Sequence, residues 1–445
     1  MARQGQYHFE SMRIARGLAV AAGVFVTATV LLIPRLAEAG GFQSLGLAVG
    51  LCAVTLGLLF AAFDRAPDAG WLFEYETRRK FKAVCEQKRL TGTDSAGRTV
   101  YPRMSRLMGG HLAWNVRVHP LLGQSLADWE RASDALQMAL GVVGVRFSDN
   151  GDGTITMRAG YQRLAHRDFV PPPPEPVDDG QDWRERLASV VVGFTEMGRP
   201  YALPLLDSHV LIAGITGSGK GSVIWSLVLG LRTPMHAGVV RFWGFDGKRM
   251  ELSIGRNIFG DRYASDPVGM VELLERAAAE MLERADGLAG KVRRFDPSVV
   301  HPLNVLVVDE LAYLASMLPD RKLRERADTA LSNILIFGRA IGYVVVGALQ
   351  DPRKETLGFR DLFPTRVAMR LSKPMVDLVL GSGAHEAGAL CDLIPSDASG
   401  KGVGFVLGEG SMQPECVRMT WCSDQAIADV AASLAPPPVR PRIAS

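Results

Sequence analysis

A glycine-rich segment between an apolar strand and an apolar helix is the feature that most restricts how this chain can fold. Residues 209–213 (HVLIA) are predicted to form the strand, and residues 223–231 are predicted to form the helix. Glycines allow successive backbone N–H groups to turn inward onto phosphate oxygens, and the start of the following helix adds its positive end. Strand, loop and helix in this order predict a phosphate-binding loop.

The residues of this loop are the candidate nucleotide-binding residues: Gly214, Ile215, Thr216, Gly217, Ser218, Gly219, Lys220, Gly221 and Ser222. We expect Lys220 to reach the β- and γ-phosphates of ATP. The residue after this lysine is usually Ser or Thr, whose hydroxyl binds Mg²⁺, but here it is Gly221. Either Ser222 or a water takes that place, or the site binds nucleotide poorly.

A second element supports the first. Residues 304–310 read NVLVVDE, an apolar run typical of a buried parallel strand with two carboxylates at its end. We expect Asp309 to hold Mg²⁺ through water and Glu310 to polarise the attacking water as general base. An ordinary core strand with an acidic end is the alternative. Together the two elements predict an ATP hydrolase that uses ATP and Mg²⁺.

A third strand is predicted over residues 343–348, and Gln350 follows its end. A polar side chain at that position can sense the γ-phosphate. A glutamine on a surface loop is the alternative.

The N-terminal part predicts a membrane anchor. Residues 17–33 and 42–63 carry no charge, and a bilayer core needs about 20 apolar residues in a helix. The short link between them favours a two-helix transmembrane hairpin, although the first run could also be a signal peptide. Arginines and lysines flank the two runs on their outer sides, so we expect a two-pass protein of the cell membrane with both termini in the cytoplasm.

Residues 70–169 predict a small α+β domain. Strands are expected over 111–119, 142–147 and 154–158, with a helix over 123–140. Trp114 and Trp129 could stack on a base, but core packing is the preferred interpretation. The predicted domains are a membrane anchor, the small domain, a proline-rich linker, a motor domain and a tail, at residues 1–69, 70–169, 170–185, 186–435 and 436–445.

Charge and cysteine content exclude some classes of function. The formal net charge is only +3, so any nucleic-acid contact must come from local basic segments. Arg321, Lys322 and Arg324 form one such segment and are candidate DNA-binding residues, with a solvated helix face as the alternative. The five cysteines match no zinc pattern and predict reduced thiols in a cytoplasmic protein.

Four stretches resemble motifs of the FtsK/SpoIIIE family. They are GITGSGKGS at 214–222, FDGKRMEL at 245–252, GRAIG followed by VVVGALQDP at 338–352, and FPTRVAMRL at 363–371. The second stretch is similar to the family's D-P-K-x-x-E-L, with Gly247 in place of the proline. The resemblance covers roughly residues 190–425 and is only general for the membrane hairpin.

The resemblance implies an α/β, RecA-like P-loop motor that assembles as a homo-hexamer around double-stranded DNA. In such rings an arginine from the neighbouring subunit completes the ATP site and neutralises charge on the transferring phosphoryl group. The matching position is Arg339, with Arg366 and Arg370 as alternatives. The expected catalytic residues are therefore Asp309, Glu310, Arg339 and Gln350.

The Gly221-Ser222 pair, the continuation ALQDPRKE and the two-span hairpin resemble the conjugative TraB-type translocases of actinobacterial plasmids and integrative elements. We therefore expect a membrane-anchored, ATP-driven DNA translocase for transfer of such elements between cells. A chromosome-segregation translocase of the same family, a protein-secretion ATPase and a nucleotide-binding membrane scaffold without turnover are the alternatives. The segment after Trp421 is shorter than a winged-helix domain, so we expect a separate DNA-recognition partner.

Overall fold

The computed structural model of the chain describes residues 70–434, apart from 110–112, 143, 161–163, 165, 170–181, 197, 353–357 and 412. The predicted hairpin lies outside these residues. Within the described part, no helix is both long enough and apolar enough to cross a bilayer. The chain divides into two compact units, residues 1–163 and 164–445.

The described part of the first unit, from residue 70 onward, combines three helices with short strands. Its helices are α1 (Gly70–Gln87), α2 (Leu126–Glu130) and α3 (Ser133–Leu140). Its strands are β1 (Gly92–Thr93), β2 (Thr99–Val100), β3 (Arg103–Met104), β4 (Met108–Gly109), β5 (Ala113–His119), β6 (Gly144–Asp149) and β7 (Ile155–Gly160). Strands β3, β5, β7 and β6 form one antiparallel sheet in that order, with β4 also paired to β5.

The predicted strands of this unit are confirmed within a few residues at each end, but its helix is not continuous. Residues 123–140 contain two helices, α2 and α3. Between them the Ala132 N–H donates over 3.0 Å to the carbonyl of Trp129, three residues earlier, as in a 3₁₀ turn and not as in an α-helix. Trp114 and Trp129 are fully buried, and Trp129 stacks on Phe81 with ring centroids 5.7 Å apart. Both indoles therefore belong to the core, as preferred.

The second unit alternates helices and strands. The helices are α4 (Trp183–Ala188), α5 (Lys220–Gly230), α6 (Arg232–His236), α7 (Arg256–Phe259), α8 (Pro267–Leu288), α9 (Arg321–Phe337), α10 (Lys373–Leu380) and α11 (Asp424–Ser433). The strands are β8 (Ser189–Thr195), β9 (Pro200–Pro204), β10 (Val210–Ala213), β11 (Val240–Phe245), β12 (Tyr263–Ala264), β13 (Leu303–Val308), β14 (Tyr343–Leu349), β15 (Thr365–Ala368), β16 (Val403–Leu407) and β17 (Glu415–Met419). Helix α4 begins before residue 185, where the predicted linker ends.

One large sheet organises this unit, in the order β12-β11-β13-β14-β10-β15-β16-β17-β8-β9. From β12 to β15 neighbouring strands are parallel, and from β15 to β9 they are antiparallel. This is an α/β P-loop fold, so the predicted fold class is confirmed at that level. Strand β14 lies between β10 and β13, so the loops after these three strands leave the same edge side by side.

Helices cover both faces of the sheet, and successive strand residues serve opposite cores. Val305 and Val307 belong to the core cluster that includes residues of α5 and α11, whereas Leu306 and Val308 belong to the cluster that includes residues of α8, α9 and α10. This explains why residues 304–308 show no alternation of polar and apolar side chains: both faces are buried.

Helix α5 connects two distant parts of this unit. Its first residue is Lys220, and at its last residue, Gly230, an added Cβ would lie 2.6 Å from the Val190 Cγ1 of β8. Glycine is needed there because the helix end packs directly on the strand.

His209 precedes β10 and is fully buried. Its Nδ1 accepts the Val345 N–H over 2.9 Å, and its Nε2 lies 3.1 Å from the Leu335 carbonyl oxygen. These partners require a neutral ring with the proton on Nε2. Burial lowers the pKa of His209 to about 4.

Candidate nucleotide-binding site

The predicted phosphate loop adopts a tight turn between β10 and α5. Gly217 and Gly219 have φ angles of +75° and +101°, which side chains rarely tolerate. A Cβ on Gly219 would also lie 2.5 Å from the Gly402 nitrogen, which donates to the Ser218 carbonyl over 2.9 Å. The turn before β16, in the antiparallel part of the sheet, therefore packs against the phosphate loop and hydrogen-bonds to it.

Lys220 lies at the start of α5 and folds back over this loop. Its Nζ donates to the Gly214 carbonyl over 2.7 Å and to the Ile215 carbonyl over 3.4 Å. Burial lowers the pKa of Lys220, and the Glu310 carboxylate opposes that shift. The lysine ammonium thus lies on the loop and close to the acidic end of β13.

Asp309 and Glu310 follow β13, as predicted, and both are buried. Glu310 Oε2 accepts from the Lys248 Nζ over 2.9 Å, and its Oε1 lies 3.3 Å from the Gln350 backbone nitrogen. Burial raises the pKa of Asp309 to about 6, with Lys248 opposing. Among the described residues, no donor bonds to the Asp309 carboxylate.

Gln350 joins the two motifs. Its backbone N–H donates to Glu310, and its Oε1 accepts from the Thr216 hydroxyl over 3.2 Å. This follows from the strand order, because β14 separates the strand of the phosphate loop from the strand of the acidic pair. The side chain is therefore placed to respond to occupancy of the loop.

The loop after β11 contributes residues to which the sequence assigned no role. Asp246 is fully buried and accepts the backbone N–H groups of Met250, Leu252 and Ser253 over 3.3, 3.0 and 3.1 Å, and the Tyr263 hydroxyl over 3.2 Å. These bonds fix the loop that carries Lys248 and Glu251. The FDGKRMEL motif, which carries part of the family resemblance, contains Asp246, Lys248 and Glu251.

Gly221 meets Glu251 directly. A Cβ built on Gly221 would overlap the Glu251 Oε1. Burial raises the pKa of Glu251, while a hydrogen bond from the Trp225 indole lowers it. The Glu251 carboxylate thus fills the space into which a serine or threonine after the lysine would project.

The site suits a magnesium ion. The carboxylates of Asp246, Glu251, Asp309 and Glu310 outnumber the ammonium groups of Lys220 and Lys248. Asp309 is only 7% exposed, and its carboxylate has no hydrogen-bond donor among the described residues. A buried carboxylate in that state is well placed to meet a cation. Within the described residues, no three acidic, histidine or cysteine side chains are arranged to hold a metal by themselves. Mg²⁺ bound to a nucleotide needs only one or two carboxylates besides phosphates and waters.

Arg339 does not reach the site of its own chain. It lies on the turn Gly338–Ile341 before β14, whereas Gln350 follows the same strand, about 23 Å along it. Its Nη1 is 3.5 Å from both the Asp207 carbonyl and Glu409 Oε2. Its role toward a neighbouring subunit stays a prediction.

The two alternative arginines differ from Arg339. The Arg366 guanidinium donates to the carbonyls of Phe363 and Leu380 over 2.9 and 3.1 Å, so its hydrogen bonds are made within its own chain. Arg370 follows β15 beside the phosphate loop, where its carbonyl accepts the Ile215 N–H over 3.1 Å.

The candidate DNA-binding residues lie at the start of a helix. Arg321, Lys322 and Arg324 lie in the first turn of α9 and are mostly exposed. Arg321 pairs with Glu325 over 2.8 Å, the helical spacing of the alternative interpretation. Asp320 precedes the helix as its N-cap.

The chain is similar to known proteins over part of its length. Residues 177–296 match the model of the FtsK/SpoIIIE family. The chain is 25% identical over 255 residues to a DNA translocase FtsK of Staphylococcus aureus strain Mu50, covering 52% of this chain and 30% of that protein. It is 27% identical over 238 residues to a DNA translocase FtsK of Tropheryma whipplei strain TW08/27, covering 49% and 30%. The chain thus spans less than a third of these relatives.

Among solved structures, the pCW3 conjugation coupling protein TcpA, a monomer form with ATPgS, is similar in fold. The TM-score is 0.51 at 16% identity, covering 80% of this chain and 98% of that one.

Fold and site together define a P-loop ATPase. The chain carries an FtsK/SpoIIIE domain and is homologous to DNA translocases FtsK. The predicted resemblance to the FtsK/SpoIIIE family is confirmed over residues 177–296, and the predicted enzyme class, an ATP hydrolase, is confirmed as well.

Proposed function

We propose that this protein is a membrane-anchored motor that uses ATP hydrolysis to move double-stranded DNA. The observation that carries the proposal is the convergence of Lys220, Glu310 and Gln350 at one edge of the sheet, in a chain with an FtsK/SpoIIIE domain. Its relatives are named DNA translocases, which supports DNA as the substrate.

The residues divide the work of hydrolysis. The loop N–H groups and Lys220 bind the phosphates, and Glu310 orients the attacking water and accepts its proton. Lys248 and the Gln350 N–H hold the Glu310 carboxylate in position. Asp309 would hold Mg²⁺, which neutralises charge on the phosphate oxygens when bound.

The assembly and the location belong to the same proposal. The family resemblance supports a hexameric ring around duplex DNA in which the neighbouring subunit supplies an arginine. The apolar runs 17–33 and 42–63 support a two-pass anchor in the cell membrane with cytoplasmic termini. The exposed basic turn at the start of α9 supports contact with DNA phosphates.

DNA-stimulated ATP hydrolysis by the full chain in detergent tests this function. We expect linear duplex DNA to raise turnover, and the motor to displace a third strand annealed to that duplex. The Lys220→Ala variant should lose both activities. ATP hydrolysis that DNA does not stimulate, with no displacement of the third strand, would contradict translocation and favour secretion of protein.

The narrower role is conjugative transfer of a plasmid or integrative element, supported by the Gly221-Ser222 pair and the ALQDPRKE continuation. In the native host, Lys220→Ala should stop DNA transfer between cells while chromosomes partition normally. The converse result would favour chromosome segregation.

A further inference from the structure

The glycine after the phosphate-loop lysine is matched by a carboxylate from another loop. The Glu251 Oε1 lies where a Cβ of residue 221 would be, so the two positions cannot both carry a side chain without a shift of Glu251. Gly221 has no positive φ and lies in a regular helix, so its backbone does not require glycine. A side chain at position 221 would therefore require the Glu251 carboxylate to move.

The faces of α5 separate Gly221 from Ser222. Residues three or four apart share a face of a helix. Gly221 and Trp225 share one face, and a Cβ on Gly255 would overlap Trp225. This is the face that meets the loop after β11, where Glu251 lies.

The face of Ser222 points toward other elements. Ser222 shares it with Ser226 and Gly230, and Gly230 contacts Val190 of β8. Ser226 is fully buried and donates to the Ser222 carbonyl over 2.6 Å. This face packs on the antiparallel part of the sheet.

The surroundings of Glu251 are those of a cation ligand. Its carboxylate lies against Gly221, next to Lys220, and Asp309, which is buried without a donor, follows the strand beside β11. Two carboxylates at this edge of the sheet are what Mg²⁺ takes from protein when phosphates and waters fill its remaining positions.

We propose that Glu251 replaces the missing hydroxyl and, together with Asp309, holds the metal ion that accompanies the nucleotide. This inference rests on the proposed ATPase function and deepens it, because it assigns the metal-binding oxygen to the loop after β11 and not to Ser222.

Metal-dependent nucleotide binding tests the assignment. The full chain in detergent is titrated with a non-hydrolysable ATP analogue in Mn²⁺ and in EDTA, and bound Mn²⁺ is followed by electron paramagnetic resonance. We expect Mn²⁺ to tighten binding of the analogue to the unchanged chain. Glu251→Gln should lose about 10- to 100-fold of that tightening, the scale of a disturbed metal site, and keep its affinity in EDTA.

Two further variants complete the test. Ser222→Ala should keep the metal effect, and Gly221→Ser combined with Glu251→Ala should regain part of it, because the hydroxyl then has room. This double variant also guards against misfolding of the single one. Full metal dependence in Glu251→Gln, or its loss in Ser222→Ala, would overturn the inference.

The assay needs neither DNA nor turnover, so its outcome is separate from that of the proposed function. If the unchanged chain bound the analogue equally with Mn²⁺ and with EDTA, the role of Glu251 would be wrong while DNA-stimulated hydrolysis remained to be measured. If the metal effect followed Glu251 but DNA changed nothing, translocation alone would fail.

Discussion

The ammonium of Lys248 lies 2.9 Å from the Glu310 Oε2, so a cation from the loop after β11 directly holds the predicted general base. The other oxygen of Glu310 has only the longer contact of 3.3 Å to the Gln350 nitrogen. Lys248 is therefore the stronger of the two constraints on this carboxylate.

Lys248→Met should lower kcat for ATP hydrolysis by about tenfold or more, because an unheld general base loses its orientation. The KM for ATP should change little, since the phosphate loop is untouched. Lys248→Arg should recover part of the rate, and Lys291→Met, at an exposed position, is the control. A rise in KM at constant kcat would instead assign Lys248 to nucleotide binding.

Glu310→Gln should bind ATP but turn it over about 10²- to 10⁴-fold more slowly, because an amide cannot accept the proton of the attacking water. The Gln350 N–H can still donate to the new side chain oxygen, so the fold should persist. Nucleotide binding and steady-state hydrolysis are measured side by side, with exposed Glu283→Gln as control. Hydrolysis at the parental rate would remove Glu310 from the mechanism.

Arg339→Ala should reduce turnover of the assembled motor by about 10³-fold or more if the guanidinium acts on a neighbouring site. Its own contacts are long and exposed, so unfolding free energy should change by less than about 0.5 kcal/mol. Mixing this variant with Glu310→Gln should restore a fraction of the activity, because some interfaces then have both groups intact. Absence of rescue at every ratio would show that Arg339 does not act between subunits.

The basic turn of α9 can be tested through the salt dependence of duplex binding. Changing Arg321, Lys322 and Arg324 to Ala should flatten the plot of log K against log salt by about 0.9 for each lost phosphate contact. Arg326→Ala is the matched control, because Glu275 holds that guanidinium through bonds of 2.8 and 2.6 Å. An unchanged slope and unchanged DNA-stimulated hydrolysis in the triple variant would place this turn away from DNA.

His209 should make the second unit sensitive to acid. Its folded pKa of about 4 lies below the ordinary value of 6.5, so its contribution to stability is complete above pH 6.5 and is lost as pH falls toward 4. The difference corresponds to about 3 kcal/mol of unfolding free energy. Urea unfolding between pH 8 and 4 should show a weaker pH dependence in His209→Gln, whereas His119→Gln, an exposed position, should retain it.

Local patterns were sufficient for part of the site. Lys220 follows its strand and loop within a few residues, and Asp309 and Gln350 each end an apolar strand. Parallel strands bring such ends to one edge, so their proximity could be inferred before the strand order was known. Arg339 shows the limit of this reasoning, because a motif match does not say at which edge of the sheet a residue lies.

The remaining parts depend on contacts between distant segments. Lys248 and Glu251 lie in an irregular loop shaped by bonds to Asp246, with Arg249 at a φ of +59°, and no periodicity indicates such a course. The pairing of Thr195 in β8 with Val417 in β17 joins strands from the beginning and the end of the second unit's sequence. The departure at Gly221 likewise depends on Glu251, which no local pattern places beside it.

The contact between Gly230 and Val190 gives α5 a mechanical role. A helix of 11 residues is about 16 Å long and stiff. It runs from the phosphate loop to β8, the first strand after the proline-rich segment. We expect a tilt of α5 on nucleotide binding to reach Val190 of β8, because Gly230 at the far end of the helix packs on that residue. The nucleotide-binding loop and β8, the first strand after the proline-rich segment, are therefore linked through one helix.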